Sequence, residues 1–170
     1  MKHFAKIFMV AVATMAFVGM SACKDDKKDD SGSGTPEQYT ESSTFSLKYE
    51  GNAVAAGQTV TYNYPGSGIP KVDFVLVNKT NEPQEAYFHM EKMEGPDIMN
   101  EMGFCTNVCD NFTCPFTTGS AYAIPASGEG VFDMQFANGA ESGTTALYKM
   151  TAGSGRNLSD PQVIFVRVTL

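Results

Sequence analysis

Phe45-Ser46-Leu47-Lys48-Tyr49 is the stretch that decides the fold. Its apolar residues recur at every second position, the period of a strand with one face in a core and the other in water. A helix would space them three or four apart. Read outward from there, the same habit continues. Gly51-Asn52 supplies a turn and Gly57 a second one. Thr59-Val60-Thr61-Tyr62-Asn63-Tyr64 then gathers β-branched and aromatic residues. Pro65-Gly66-Ser67-Gly68 reads as a loop. Val72-Asp73-Phe74-Val75-Leu76-Val77 is the most apolar run and predicts a central strand. Asn78-Lys79-Thr80-Asn81-Glu82-Pro83 predicts a hairpin loop into Ala86-Tyr87-Phe88-His89-Met90.

Gly95 to Met102 is the one segment with a helical signature. Asp97 caps it, and Ile98, Met99 and Met102 form a short apolar side. Further strands are expected at Ala121–Ile124, Val131–Phe136, Thr144–Met150 and Val163–Leu170. About seven or eight short strands, with 16 Gly and 8 Pro among them and no long helix, predict an all-β fold. The expected architecture is a two-sheet Ig-like or fibronectin-III-like sandwich over residues 42–170.

Upstream of the domain, Lys2, His3 and Lys6 precede an apolar run from Ile7 to Met20, broken only by Thr14 and Gly19. That run is too short for a comfortable membrane span and has the form of a signal sequence. Met20-Ser21-Ala22-Cys23 resembles a bacterial lipobox, with Met where leucine is usual. The resemblance implies cleavage after Ala22, so that residues 1–22 are lost and Cys23 becomes an acylated N-terminus. Lys24 to Pro36 offers nothing apolar to bury, and residues 23–41 are assigned to a lipidated cysteine and an acidic tether. Lys24-Asp25-Asp26 resembles the export signal of Bacteroidetes lipoproteins, which implies the outer face of the outer membrane.

The chain carries a formal charge of −7. Loss of Lys2 and Lys6 with the signal leaves 10 basic residues against 19 acidic ones, a mature charge of −9. Nucleic-acid binding needs a basic face, so this composition argues against it. Electrostatic docking on anionic headgroups is disfavoured on the same grounds. Membrane attachment therefore falls to lipid on Cys23, at roughly 0.8 kcal/mol per buried CH₂.

The order of motifs carries a further resemblance. A strand, Asn78-Lys79-Thr80 and a second strand lead to Cys109-Asp110-Asn111-Phe112-Thr113-Cys114 and Ile124-Pro125-Ala126-Ser127-Gly128. Alternating Val131/Phe132-Met134-Phe136, Gly143 with Thr145-Ala146-Leu147-Tyr148, and a last strand after Asp160-Pro161 follow. This is similar to the Ig-like sandwich modules of exported Bacteroidetes proteins, with a C-x₄-C pair, a Pro-x-x-Gly turn and a final edge strand. The resemblance implies a fold and a compartment, and no activity.

Cys105, Cys109 and Cys114 remain after Cys23, and an exported chain meets oxidising conditions. Cys109–Cys114 is the expected disulfide, since four intervening residues suit a turn and the pair matches the C-x₄-C pattern. Cys105–Cys114 is the alternative. A second reading of this segment is a soft-metal site for Cu(I), because His89, Met90, Met93, Met99, Met102 and the three cysteines lie close in sequence. Core packing plus a disulfide is the expected reading, with no metal and no cofactor. A third reading is a glycan-binding accessory of a surface uptake system, with Tyr62, Tyr64, Phe112 and Phe116 in place of the missing Trp.

No catalytic signature appears. His89 is the single histidine beyond the signal, no Gly-x-Ser-x-Gly is present, and Glu91/Glu94 read as solvated charge. The sequence thus predicts a non-catalytic binding or structural lipoprotein whose protein or glycan partner it does not name.

Overall fold

A computed structural model of the chain describes residues 37–106, 109–110, 114–137 and 141–170. The signal sequence, Cys23 and the tether up to residue 36 lie outside the described residues. Twelve strands follow in chain order. They are β1 (Phe45–Tyr49), β2 (Asn52–Val54), β3 (Thr59–Asn63), β4 (Lys71–Asn78), β5 (Gln84–Glu94) and β6 (Met99–Cys105). The rest are β7 (Cys109–Asp110), β8 (Phe116–Thr117), β9 (Tyr122–Ile124), β10 (Glu129–Phe136), β11 (Thr145–Ser154) and β12 (Ser159–Thr169). One sheet runs β2-β1-β4-β10-β6-β7; the other runs β3-β12-β11-β5-β8, with β9 also on β5. The fold is therefore the expected all-β two-sheet sandwich, with more strands than predicted. Of the additional ones, β2, β7 and β8 have no more than three residues each, too few to show a period, and the seven-residue β6 falls largely in the segment read as helical.

Strand alternation builds the core. Phe45 and Leu47, then Val72, Phe74 and Leu76, and Phe132, Met134 and Phe136 point inward from the first sheet. Phe88, Met90, Tyr148, Met150, Ile164, Val166 and Val168 meet them from the second. At the centre Phe88 lies 4.8 Å from Phe104 and 4.7 Å from Phe132, ring centre to ring centre. Each such buried ring contributes about 1.5–3 kcal/mol, with about 0.5–1.5 more per tilted pair. Among the described residues no buried side-chain polar atom lacks a hydrogen bond.

Two polar nodes tie the sheets together. Asn78, 1% exposed, donates through Nδ2 to the carbonyls of Glu82 (2.7 Å) and Pro125 (2.9 Å). Its Oδ1 accepts from Thr80 N–H and Oγ1. At the start of β1, Ser42 N–H donates to Gln162 Oε1, while Gln162 Nε2 donates to the Val54 carbonyl.

Several expectations need correction. Residues 95–102 do not make a helical turn: β6 begins at Met99 and pairs with β10, Met99 facing Phe136 and Phe104 facing Met134. Sheet pairing overrides the short helical spacing. Residues 79–83 do not close a hairpin, because β4 and β5 belong to different sheets and the segment crosses between them. The final strand is not an edge. β12 lies between β11 and β3, parallel to β3. The boundary of the domain also moves upstream. Tyr39, placed in the tether, packs edge-on against Phe165 at 5.5 Å, and Glu41 Oε1 accepts from Ala56 N–H. Among the described residues no helix is long and apolar enough to cross a membrane.

Candidate functional site

β1 lies against β12 and β10 against β9, so β2 and β3 end their sheets on the same flank of the sandwich. On that flank, between β3 and the end of β1 and start of β4, opens a cleft of about 620 Å³ bounded by Tyr49, Glu50, Thr61, Tyr62, Lys71 and Asp73. Local geometry explains how each gets there. Tyr49 ends the inward-facing series of β1, and Glu50-Gly51 then turns the chain with both residues at positive φ (49° and 78°). That pairing of Tyr49 with Asn52 is a two-residue hairpin of the kind that matches strand twist. Tyr62 follows Val60 on the inward face of β3 and stacks on Phe136, centroids 6.1 Å apart at 23°. Its hydroxyl accepts from Lys71 N–H at 3.3 Å, which ties β3 to the start of β4 across the gap.

The charges at the mouth are mostly negative. Asp73 and Asp133 stand directly opposite each other on β4 and β10. Lys71 Nζ relieves them, 2.8 Å from Asp73 and 3.8 Å from Asp133. The hydrogen bond to Asp73 raises the Lys71 pKa; partial desolvation opposes the rise, and the charges of both carboxylates add to it. Burial, and next the neighbouring Glu50 carboxylate, raise the pKa of Tyr49. Two carboxylates thus share one ammonium, and Glu50 adds a further negative charge beside Tyr49. Two aromatic faces, a negative rim and a strand edge suit capture of a ligand.

The cysteines are arranged differently from the expectation. The disulfide joins Cys105 and Cys109, not Cys109 and Cys114. The two sit opposite each other on β6 and β7, in register. Antiparallel pairing of that small hairpin brings their Cα atoms to 4.0 Å. Cys114, offered as a partner in both predicted pairings, is a free, half-buried thiol. Its pKa is pushed up to about 12, by burial first and then by the Asp97 carboxylate. Cys114 N–H donates to Asp97 Oδ2, and Tyr148 Oη, which itself accepts from Ile98 N–H, donates to Asp97 Oδ1.

The soft-ligand segment does not converge. His89 and Met90 are neighbours on β5 and so point to opposite faces. Met90 is in the core, whereas His89 Nδ1 bonds Thr117 Oγ1 at 2.7 Å on the outer face. Met93 is exposed. The side chains of Met99 and Met102 lie outside the described residues. Among the described residues no three His, Cys, Asp or Glu side chains gather as a metal site. The aromatic set is equally dispersed. Tyr62 and Phe116 belong to strands at opposite edges of one sheet, and Phe112 lies outside the described residues.

The cleft residues Tyr49, Glu50, Lys71 and Asp73 were not signalled as a site by the sequence. The Lys71-x-Asp73 spacing places both on one face of a strand, but nothing local reveals that Tyr62 lies across from them.

The N-terminal domain of PorA is similar in fold, with a TM-score of 0.51 and 11% identity over 74% of this chain and 96% of that one. The PapD-like domain 7 of human CEP192 aligns with a TM-score of 0.40 and 9% identity, over 79% of this chain and 90% of that one. The periplasmic chaperone SfaE gives 0.39 and 9%, over 74% and 56%. No protein-family model and no curated protein sequence matches the chain.

Proposed function

We propose that this chain is a lipid-anchored lipoprotein of the outer membrane, facing the exterior, whose sandwich acts as a non-catalytic binding or structural module. The observation that carries the binding reading is the cleft of Tyr49, Glu50, Tyr62 and Asp73 on the flank where β3 ends its sheet. Supporting it, the single histidine beyond the signal is engaged with Thr117 and lies 3.7 Å from Glu91, on the outer face of β5. The anchor is supported by Met20-Ser21-Ala22-Cys23 and the acidic stretch after it. Two or three acyl chains on Cys23 hold a soluble domain at a bilayer without any membrane-crossing element.

The test is Cys23→Ala in the expressing bacterium. The native protein should partition into detergent and be digested by protease added to intact cells. The variant should leave the membrane fraction. A variant that stays membrane-bound contradicts the lipid anchor, and protection of the native protein from external protease contradicts its outward orientation.

A further inference from the structure

We infer that the free edge of β3 takes up an extended, basic polypeptide segment as an added strand, with the adjoining cleft receiving its cationic side chains. The inference rests on the reading of the cleft as the contact surface and names what that surface holds.

Edge strands are normally blunted by shortness, Pro, Lys or a bulge. β2, β7, β8 and β9 satisfy this by length, with two or three residues each. β3 does not. Thr59-Val60-Thr61-Tyr62-Asn63 contains no Pro, Gly or charge, and pairs with β12 in an unbroken register from Thr59↔Phe165 to Asn63↔Thr169. Among the described residues no strand lies on its other side.

In a parallel pair, alternate residues of a strand turn both backbone groups toward the same neighbour. Phe165 N–H donates to the Gln58 carbonyl and Tyr64 N–H to the Thr169 carbonyl. The even-numbered positions of β3 therefore face β12. Thr59, Thr61 and Asn63 direct N–H and C=O away from it, and Thr61 and Asn63 border the cleft. Those groups form a template for one more strand.

Charge selects the occupant. Glu50 and Asp73 outnumber Lys71 at the mouth, Lys71 is further shared with Asp133 on β10, and Tyr49 and Tyr62 offer ring faces that attract cations. The whole chain is at −7, so pairing with a second copy of itself brings like charges together. An extended segment carrying Arg or Lys at alternate positions satisfies both the edge and the rim.

The experiment is a fluorescence-anisotropy titration of the purified full chain with an N-acetylated, labelled peptide of about seven residues alternating Val and Arg. A Val/Glu peptide of the same length is the comparison. The Val/Arg peptide should bind saturably, at least about tenfold more tightly than Val/Glu. Glu50→Gln with Asp73→Asn should weaken it by a similar factor. Thr61→Pro removes one outward N–H and leaves the bonds to β12, so it should abolish binding while the melting temperature shifts by only a few degrees. Should that variant not fold, amide exchange on the native complex reads the same bond. Thr59, Thr61 and Asn63 should gain protection on adding the peptide. Binding without that protection overturns strand addition and leaves the cleft as a contact surface. Equal or tighter binding of the Val/Glu peptide overturns the choice of a basic occupant. No saturable binding of either peptide overturns the inference together with the reading of the cleft.

Discussion

Asp160 holds the left-handed backbone conformation, φ 49°, just where the chain enters β12. Its carboxylate accepts from Ser43 N–H and Oγ, Thr44 N–H and Ser42 Oγ, at 2.7 to 3.1 Å. Desolvation alone would raise its pKa, but the hydrogen bonds from Thr44 and Ser43 prevail and hold the carboxyl well below the usual carboxylate range. A depressed folded-state pKa stabilises the fold above the unfolded value and loses that contribution as pH falls. Asp160→Asn keeps the shape and tolerates the same φ, so it isolates the charge. The variant should lose about 1–2 kcal/mol at neutral pH, after allowance for the exposure of the group. The gap to the native protein in urea midpoint should begin to narrow near about pH 4 and shrink progressively as pH falls further toward the depressed folded-state value. A gap independent of pH would show that the charge contributes nothing. Neither this node nor that of Asn78 was legible in the sequence. Ser42 and Asp160 are far apart in the chain, and Asn78 reads only as a turn residue until the crossover shows it buried.

At the scale of elements, the long alternating strands were legible and the short ones were not. Phe45, Leu47 and Tyr49 fix β1, and Val72, Phe74 and Leu76 fix β4, because each buries one face. β7 has two residues and no period, yet it decides which cysteines meet. The C-x₄-C spacing favoured Cys109 and Cys114. Pairing of β6 with β7 sets Cys105 opposite Cys109 instead. So short a loop constrains the unfolded chain by only about 2 kcal/mol. Partial reduction and fragmentation mass spectrometry of the oxidised protein should find the Cys105–Cys109 bond, and Cys114→Ser should retain it. With its pKa pushed up to about 12, Cys114 should react with iodoacetamide at pH 8 only after denaturant is added. A Cys109–Cys114 link, or rapid alkylation of Cys114 in the folded protein, would contradict this assignment. The residue 95–102 helix failed for a related reason. Spacing of three between Met99 and Met102 is a weak local preference, and a place beside β10 outweighs it.

For the whole molecule, composition and period gave the class of fold, and long-range pairing gave what local patterns do not encode. Turn residues at 78–83 predict a reversal of direction but not which sheet receives the next strand. The last strand carries the same apolar alternation whether it is an edge or a centre; only its parallel pairing with β3 makes it central. That placement leaves β3 as the longest edge strand among the described residues, beside the cleft. The most direct measurement is residue-resolved amide hydrogen exchange on the free protein. Val60, Tyr62 and Tyr64 should exchange slowly, held by β12, while Thr59, Thr61 and Asn63 exchange rapidly from the open edge. Uniform slow exchange across residues 59–64 would mean that the edge is already covered, and would contradict the account of β3 as a surface for a partner.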